Sequence, residues 1–396
     1  MEKRPSYFRT WFFYSCGQAS YWGSLAAVSG YTVLYLSSKG IADARAGMVV
    51  SIAAILAIAL QLIISDYVDK HPNNLSKTPI VLLASASSMC AFAVIFIKNS
   101  PLIIVVLYTL AVAFLNAVPP FLGTVAVKSD IHIHFAIPRG IGAACYAVNC
   151  LVIGFLLRTR DVNIVMMIYA PIAACLALSF HFMRECPRPN IANAEKDPSI
   201  TYFSMLKSNK VLRYYIIASV FTYLGQQMCS PFLIRIVENC RGGSGELGIA
   251  LFIQTISQVP MTFSIPKISK KIPMDKLVLI SFFAFSARFI LMSAARSTAA
   301  IYIISALNTF CIGIQCVASI QFADLISGEK EKARAQALTS FSNNAGQILG
   351  GALSTVIIPF VGARGLFVAS GGVCFVGFCV MLLSSRLYNM DRHKIQ

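Results

Sequence analysis

The chain has 396 residues, of which 57% are hydrophobic, and its 33 Lys and Arg against 16 Asp and Glu give a net charge of +17. So large a positive charge in a soluble protein would suggest a nucleic-acid partner, but this hydrophobicity excludes the soluble class. We therefore expect no nucleic acid as a partner, and assign the positive charge to a protein embedded in a lipid bilayer.

Apolar stretches of membrane-spanning length follow one another along the whole chain. A hydrocarbon core of ~30 Å needs ~20 apolar residues per helix, and the pattern predicts twelve such helices. They are placed at 10–36, 46–65, 78–97, 101–127, 138–157, 162–183, 211–236, 247–265, 276–294, 299–324, 337–359 and 364–385.

Basic residues alternate between the two sides of the predicted membrane. The N-terminus, the even-numbered loops and the C-terminal tail hold more than twice as many Lys and Arg as the odd-numbered loops. Basic loops resist translocation, so both termini and the sixth loop are predicted to be cytoplasmic. The predicted location is the plasma (inner) membrane, with multiple passes.

The longest polar connection is the sixth loop, which contains C-P-R-P-N and E-K-D-P-S. It predicts an N-terminal six-helix bundle at 1–183, a cytoplasmic linker at 184–210 and a C-terminal six-helix bundle at 211–396. The fold class is all-α and integral to the membrane, with two six-helix bundles around a central cavity where a solute would bind.

Polar side chains occur at intervals in the spans of the first half. Aromatic and amide residues mark span one at Gln18, Trp22 and Tyr31, and Asn116 lies in span four, just before Pro119-Pro120 breaks that helix. Each polar or aromatic group is compatible with solute binding, with bonding between helices or, for the aromatics, with anchoring at the membrane interface.

Amides also fill the spans of the second half. They are Gln227, Gln254, Gln258, Asn308 and Gln315. Gln254 and Gln258 have the i,i+4 spacing of one helix face. Amides donate and accept hydrogen bonds, which suits solutes that bear hydroxyl groups or bases.

Arg288 is the only charged residue predicted in the middle of a span. A snorkelling arginine would lie near a helix end, whereas Arg288 is near the middle of span nine. Charges at membrane depth are functional hypotheses by default, so we expect Arg288 to face the cavity. The acids all lie in loops, tails or helix ends, and the 12 Cys contain no C-x-x-C pair. No cofactor and no metal site are expected.

Charged residues at the cytoplasmic ends of helices are candidates for a gate. Ser65-Asp66-Tyr67-Val68-Asp69-Lys70 follows span two and matches the pattern G-x-x-x-D-R/K with Ser65 in place of Gly. Asp69, Lys70, Arg139 and Asp324 are the predicted gating residues.

The sequence resembles the major facilitator superfamily, in the branch of the nucleoside, phenylpropionate-type and lactose permeases. The resemblance rests on the G-x-x-x-D-R/K pattern, on Trp22-Gly23-Ser24, on Asp130 to Tyr146 and on Asp275 to Phe289. In the third segment Phe135, Arg139, Gly142 and Tyr146 fill the family positions, with Ile141 in place of the usual Trp, and in the fourth Arg288 falls on the family's membrane arginine.

The resemblance implies a proton symporter, but the acids that would carry the proton are replaced. Asn308 and Cys311 align with a His and a Glu of lactose permease, and Gln258 aligns with a Glu of the related permeases. Gln227 and Gln315 lie nearest the acids that nucleoside permeases carry. Amides do not titrate near neutral pH, so the residues indicate facilitated diffusion, solute exchange or coupling through the substrate's own charge against Arg288. The resemblance implies the alternative, symport with a proton as the coupling ion, in which an acid at a helix end such as Asp324 would carry the proton.

The predicted function is membrane transport of a small polar organic solute (a nucleoside, a sugar or an aromatic acid) by alternating access. The alternatives are a receptor or regulator that keeps the fold without flux, and an efflux pump for amphiphilic compounds. An enzyme is rejected because the spans hold no cluster for metal or acid–base chemistry. A monomer is expected.

Overall fold

The computed structural model describes residues 7–70, 77–97, 100–128, 136–183, 202–328 and 331–395. Every regular element in these ranges is a helix. The helices are α1 Tyr7–Gly30, α2 Thr32–Ser38, α3 Asp43–Lys70, α4 Thr78–Phe96, α5 Pro101–Asn116, α6 Pro119–Lys128, α7 Ala136–Leu156, α8 Ile164–Phe182, α9 Tyr202–Ser208, α10 Lys210–Cys229, α11 Leu233–Asn239, α12 Ser244–Ile256, α13 Gln258–Ile268, α14 Met274–Ser293, α15 Thr298–Ala306, α16 Ile312–Leu325 and α17 Lys332–Ile395, with 3-10 turns at Ser230–Phe232 and Leu307–Thr309.

The helices agree with an integral membrane protein. Within the described ranges, nine helical stretches are long and apolar enough to cross a membrane, and one of them, Arg334–Met390, is long enough for two crossings. Gly362 divides it, with a φ of +65° that a side chain would disfavour. With α1 and the α10–α11 segment added, the helices are consistent with the twelve predicted spans.

The chain forms two compact units, Met1–Ala194 and Glu195–Gln396. The predicted linker 184–210 lies mostly outside the described residues. Its last residues belong to α9 and to the start of α10, where the Asn209 side chain accepts a 2.9 Å hydrogen bond from the backbone N–H of Leu212. That bond caps the N-terminus of α10.

In unit one, α1 packs against α7 and α8, and α4 packs against α5 and α8. Buried hydroxyl groups join the second set of helices. The Ser87 Oγ lies 2.5 Å from the Tyr169 Oη and donates to the carbonyl oxygen of Ala111 at 2.7 Å. In a membrane interior such bonds help to hold helices together.

In unit two, α10 packs against α17 at small residues. A Cβ atom at Gly346 would lie 2.6 Å from the Cβ of Tyr223, and one at Gly350 would lie 2.8 Å from the carbonyl oxygen of Leu224. The spacing of Gly346 and Gly350 predicts close helix approach, and the structure confirms it.

Several spans are interrupted. Span four breaks between α5 and α6, as Pro119-Pro120 predicts. The helical hydrogen bonding of span eight breaks at Ser257, although Ser257 keeps helical φ and ψ, because Pro260 has no N–H to donate to the carbonyl of Ile256, four residues earlier. Span ten breaks between α15 and α16, where Cys311 has φ −79° and ψ −92°. The breaks in spans eight and ten were not predicted.

Candidate functional site

Arg288 lies in the interior of unit two. It is in the third quarter of α14, and only 4% of its surface is exposed. An arginine at such depth costs at least ~2.5–3.5 kcal/mol on the mildest insertion scale unless neighbouring groups compensate the charge. Its immediate partners therefore decide what the site can do.

Two side-chain amides accept hydrogen bonds from the Arg288 guanidinium. One Nη donates to the Asn308 Oδ1 at 2.9 Å, and the other donates to the Gln254 Oε1 at 2.6 Å. The Nε is buried and has no hydrogen-bond partner among the described residues. The guanidinium is thus held by neutral oxygens, and its Nε–H is left unused among the described residues.

Asn308 connects Arg288 to both halves of span eight. Its Nδ2 donates to the carbonyl oxygen of Gln254 at 2.8 Å and to the Oε1 of Gln258 at 3.4 Å. The sequence predicts Gln254 and Gln258 on one face of a continuous helix. Both residues contact Asn308, as one face requires, although the helical hydrogen bonding is interrupted at Ser257 between them.

The breaks in spans eight and ten lie against each other beside Arg288. The Thr309 Oγ1 donates to the carbonyl oxygen of Ser257 at 2.8 Å, and a Cβ at Gly313 would lie 3.1 Å from the carbonyl oxygen of Gln258. Broken helices at membrane depth are tolerated where they are buried in protein or line a water-filled cavity. In many transporters the half-helix ends bind solute groups or ions.

The positive charge of Arg288 has no acid to neutralise it in the described part of unit two. Asp275 bonds to Ser385, Asp324 to Gln336 and Glu238 to Arg235, and none of these carboxylates forms an ion pair with Arg288. We call Arg288, Gln254, Gln258 and Asn308 the arginine–amide cluster. It is a buried, electropositive group of polar side chains.

The other predicted amides of unit two lie apart from this cluster's hydrogen bonds. Gln315 is buried, accepts from the Ser281 Oγ at 3.0 Å and leaves its Nε2 without a partner among the described residues. Gln227 is half-buried, and its Cβ would lie 3.0 Å from a Cβ at Gly350, so it flanks the contact between α10 and α17.

Unit one has a polar ladder along α1. Trp22 donates to the Gln18 Oε1 at 3.2 Å, Gln18 donates to the Tyr14 Oη at 3.1 Å, and Tyr14 donates to the carbonyl oxygen of Leu122 at 3.1 Å. The guanidinium of Arg139 lies 5.4 Å from the centre of the Trp22 ring, a cation–π arrangement. The ladder and Arg139 form the second candidate face.

Two further predicted cavity residues of unit one are placed differently. Tyr31 is fully buried and its Oη donates to the carbonyl oxygen of Cys150 at 2.5 Å, which joins α7 to the residue between α1 and α2. Asn116 is half-buried at the end of α5, and its carbonyl oxygen accepts from Gln61 at 3.0 Å. Both lie at helix junctions.

The predicted gating residues are only partly described. The side chains of Asp69 and Lys70 lie outside the described residues. Arg139 is exposed near the start of α7, and the half-buried Asp324 accepts from Gln336 at 2.9 Å. The gating role of all four stays a prediction.

Asp275 is buried, which its position at the start of a helix does not predict. It lies in the first turn of α14 and is 1% exposed, and its Oδ2 accepts from the Ser385 Oγ at 2.6 Å and from the Asn389 Nδ2 at 3.2 Å. Its Oδ1 is buried without a partner among the described residues. Because Asp275 lies beside Lys276, the sequence predicts an exposed loop charge. Only the packing of α17 against this end of α14 shows that the carboxylate is buried.

A family model described as "MFS_1 like family" matches residues 12–369. The chain belongs to this family. As a member of the major facilitator superfamily it is a multi-pass membrane transporter of small solutes that works by alternating access, and not an enzyme.

Solved structures of transporters share the fold. The nucleoside transporter NupG matches with 17% identity and a TM-score of 0.78, covering 96% of this chain and 98% of that one. A bacterial homologue of the human lysosomal transporter Spinster matches with 12% identity and a TM-score of 0.73, covering 98% and 99%. A POT family transporter in complex with 5-aminolevulinic acid matches with 12% identity and a TM-score of 0.70, covering 95% of each chain. A search of curated protein sequences finds no match.

Proposed function

We propose that this member of the MFS_1-like family transports a small polar organic solute and that the arginine–amide cluster binds it. The observation that carries the proposal is Arg288, buried at membrane depth among neutral amides where two helices break. Gln254 and Gln258 are half-buried, so the cluster is accessible along one edge. Amides facing lipid would be costly, which favours an edge that faces water or solute.

The polar ladder of unit one is proposed as the second solute-binding face. Trp22 supplies an aromatic ring and Arg139 lies over that ring, while the buried Gln18 holds Trp22 in place by accepting from its indole N–H. This arrangement is suited to a solute with a flat or polar surface. Asp69, Lys70, Arg139 and Asp324 are proposed to act at the cytoplasmic gate.

The proposed location is the plasma (inner) membrane, with both termini in the cytoplasm and the protein acting as a monomer. The alternation of basic loops supports this orientation. Since the sequence places no acid in the middle of a span, the proposed transport is facilitated diffusion or exchange. Uptake above that of protein-free liposomes should then be the same with and without an imposed pH gradient, whereas uphill accumulation that needs both the protein and the gradient would establish proton symport.

Flux into proteoliposomes tests the function. Purified protein should carry at least one radiolabelled solute from a panel of uridine, glucose and benzoate. Asn308→Leu should lower that flux, because it removes one of the two acceptors of Arg288 and the donor to Gln254. Asn239→Leu, an exposed position at the end of α11, is the matched control and should leave it unchanged.

Binding of a solute without flux would instead support the receptor alternative. Equal flux in wild type and Asn308→Leu would remove the cluster from the transport pathway while leaving transport itself established.

A further inference from the structure

We infer that the solute carries a carboxylate group and that Arg288 is the residue that binds it. The inference rests on the proposed function and narrows its substrate class. A sugar or a nucleoside needs hydrogen-bond donors and acceptors, which the amides alone supply. A neutral solute therefore gives no reason for the buried positive charge of Arg288.

The geometry leaves the charge of Arg288 available. Its two bonded acceptors, Asn308 Oδ1 and Gln254 Oε1, are neutral, and its buried Nε has no partner among the described residues. Planar guanidinium groups bind carboxylates through paired N–H donors. Asn308 is buried whereas Gln254 is half-buried, so the Gln254 side chain is the acceptor that an entering carboxylate would replace.

The backbone around the cluster reinforces the preference for an anion. α13 begins at Gln258 and α16 begins at Ile312, and the two beginnings lie together because Gly313 packs against Gln258. Helix N-termini carry a partial positive charge. Arg288 and the two helix N-termini have the same sign of potential, whereas the carbonyl oxygens of Gln254 and Ser257 at the end of α12 are already bonded by Asn308 and Thr309.

A single negative charge matches this site better than two. Among the described residues of unit two, Arg288 is the one Lys or Arg side chain that is buried. A phosphate dianion would need a second cation to balance it, whereas a monocarboxylate is balanced by one guanidinium. The proposed class is a small organic monocarboxylate.

The first experiment compares matched pairs of acid and amide on the wild-type protein. Benzoate, 3-phenylpropionate and lactate are each tested against benzamide, 3-phenylpropionamide and lactamide by thermal shift in detergent. At least one carboxylate should stabilise the protein, with an affinity about 10- to 100-fold above that of its amide, as expected for a charged hydrogen bond. Equal effects within every pair overturn the inference.

The second experiment gives Arg288 an internal carboxylate. Gln254→Glu is isosteric and would place a carboxylate oxygen where the Gln254 Oε1 now lies, 2.6 Å from the Arg288 Nη. It should fold and weaken binding of the stabilising carboxylate by about 10- to 100-fold. If Arg288 had only a structural role, Gln254→Glu would not weaken binding of the carboxylate. Asn239→Asp, which adds a charge at the exposed end of α11, is the control.

Arg288→Gln and Arg288→Lys complete the series. Arg288→Gln should abolish the preference for acid over amide, and Arg288→Lys should restore part of it. If Arg288→Gln does not fold, the wild-type pairs and Gln254→Glu still decide the outcome.

Failure of the inference is distinguishable from failure of the proposed function. If no carboxylate binds while uridine or glucose is taken up by proteoliposomes, the protein transports a neutral solute and the inference is wrong. If no solute of the panel either binds or is taken up, both are rejected.

Discussion

Arg288 shows how a membrane arginine can be held without an acid. Its charge is solvated by the oxygens of Asn308 and Gln254, which replace water but carry no negative charge. The buried charge is therefore compensated well enough for the protein to fold, and it still attracts an anion. The sequence located this residue, but it gave no information on which amides would bond to it.

Asp275 contrasts with Arg288, because the position of Asp275 at a helix end does not predict that its side chain is buried. Asp275→Asn keeps an oxygen to accept from Ser385 and Asn389 and removes a buried charge, so we expect unchanged or higher stability. Asp275→Leu leaves both donors without their acceptor and should lower the free energy of unfolding by about 1–3 kcal/mol. Thermal melting in detergent measures both changes.

Asp324 provides the comparison for Asp275. It is half-buried, and among the described residues it accepts from Gln336 alone, so Asp324→Leu should cost less stability than Asp275→Leu. A larger loss at Asp324 would contradict the view that burial determines the difference.

Gly142 is a position where one methyl group should disturb the candidate face of unit one. An added Cβ would overlap the Cδ1 of Trp22 and lie 3.1 Å from the carbonyl oxygen of Gln18. Gly142→Ala should therefore lower the free energy of unfolding by about 1–3 kcal/mol and displace Trp22. Melting temperature and tryptophan fluorescence report the two effects.

Gly123→Ala is the matched control in the same unit, since a Cβ there has no heavy atom within 4 Å. Similar destabilisation by the two substitutions would show that the loss comes from the backbone and not from the contact with Trp22.

At the scale of elements, the interruptions of spans eight and ten shape the arginine–amide cluster. Pro260 removes one hydrogen bond from the helix, and the 3-10 turn Leu307–Thr309 presents Asn308 to both halves of span eight. A continuous pair of helices would satisfy these backbone groups within each helix. The breaks therefore free carbonyl oxygens such as that of Gln254 to accept bonds from another helix.

Pro260→Ala should straighten span eight. It restores an N–H for the carbonyl of Ile256, so we expect equal or higher thermal stability. We also expect slower transport, because span eight, which carries Gln254 and Gln258, loses its bend. Pro266→Ala, later in α13, is the control and should leave transport close to wild type. Unchanged flux in Pro260→Ala would show that the bend is not needed for transport.

At the scale of the whole molecule, the alternation of basic loops predicts a definite orientation in the membrane. A cysteine introduced at Ser38, in the first loop, should react with an impermeant maleimide added outside intact cells. A cysteine at Lys270, in the eighth loop, should react only after the membrane is permeabilised. Both positions are exposed, so the difference reports sidedness. The reverse labelling pattern would invert the topology.

The sequence by itself determined the properties that depend on local composition. The apolar spans, the break at Pro119-Pro120, the small-residue contact at Gly346 and Gly350 and the superfamily were predicted, and the structure and the family match confirm them. These properties follow from residues close in sequence, where the length of an apolar run or the spacing of glycines fixes the outcome.

The tertiary structure decided which polar groups meet. It joined Arg288 to Gln254 and Asn308, gave Gln315 and Tyr31 partners of their own, and buried Asp275 under α17. The partners of a polar side chain are chosen by helices far apart in the chain, and a rotation of one helix by a single residue would change them. Spacing along one helix cannot specify such a choice, because it depends on how several helices pack at once.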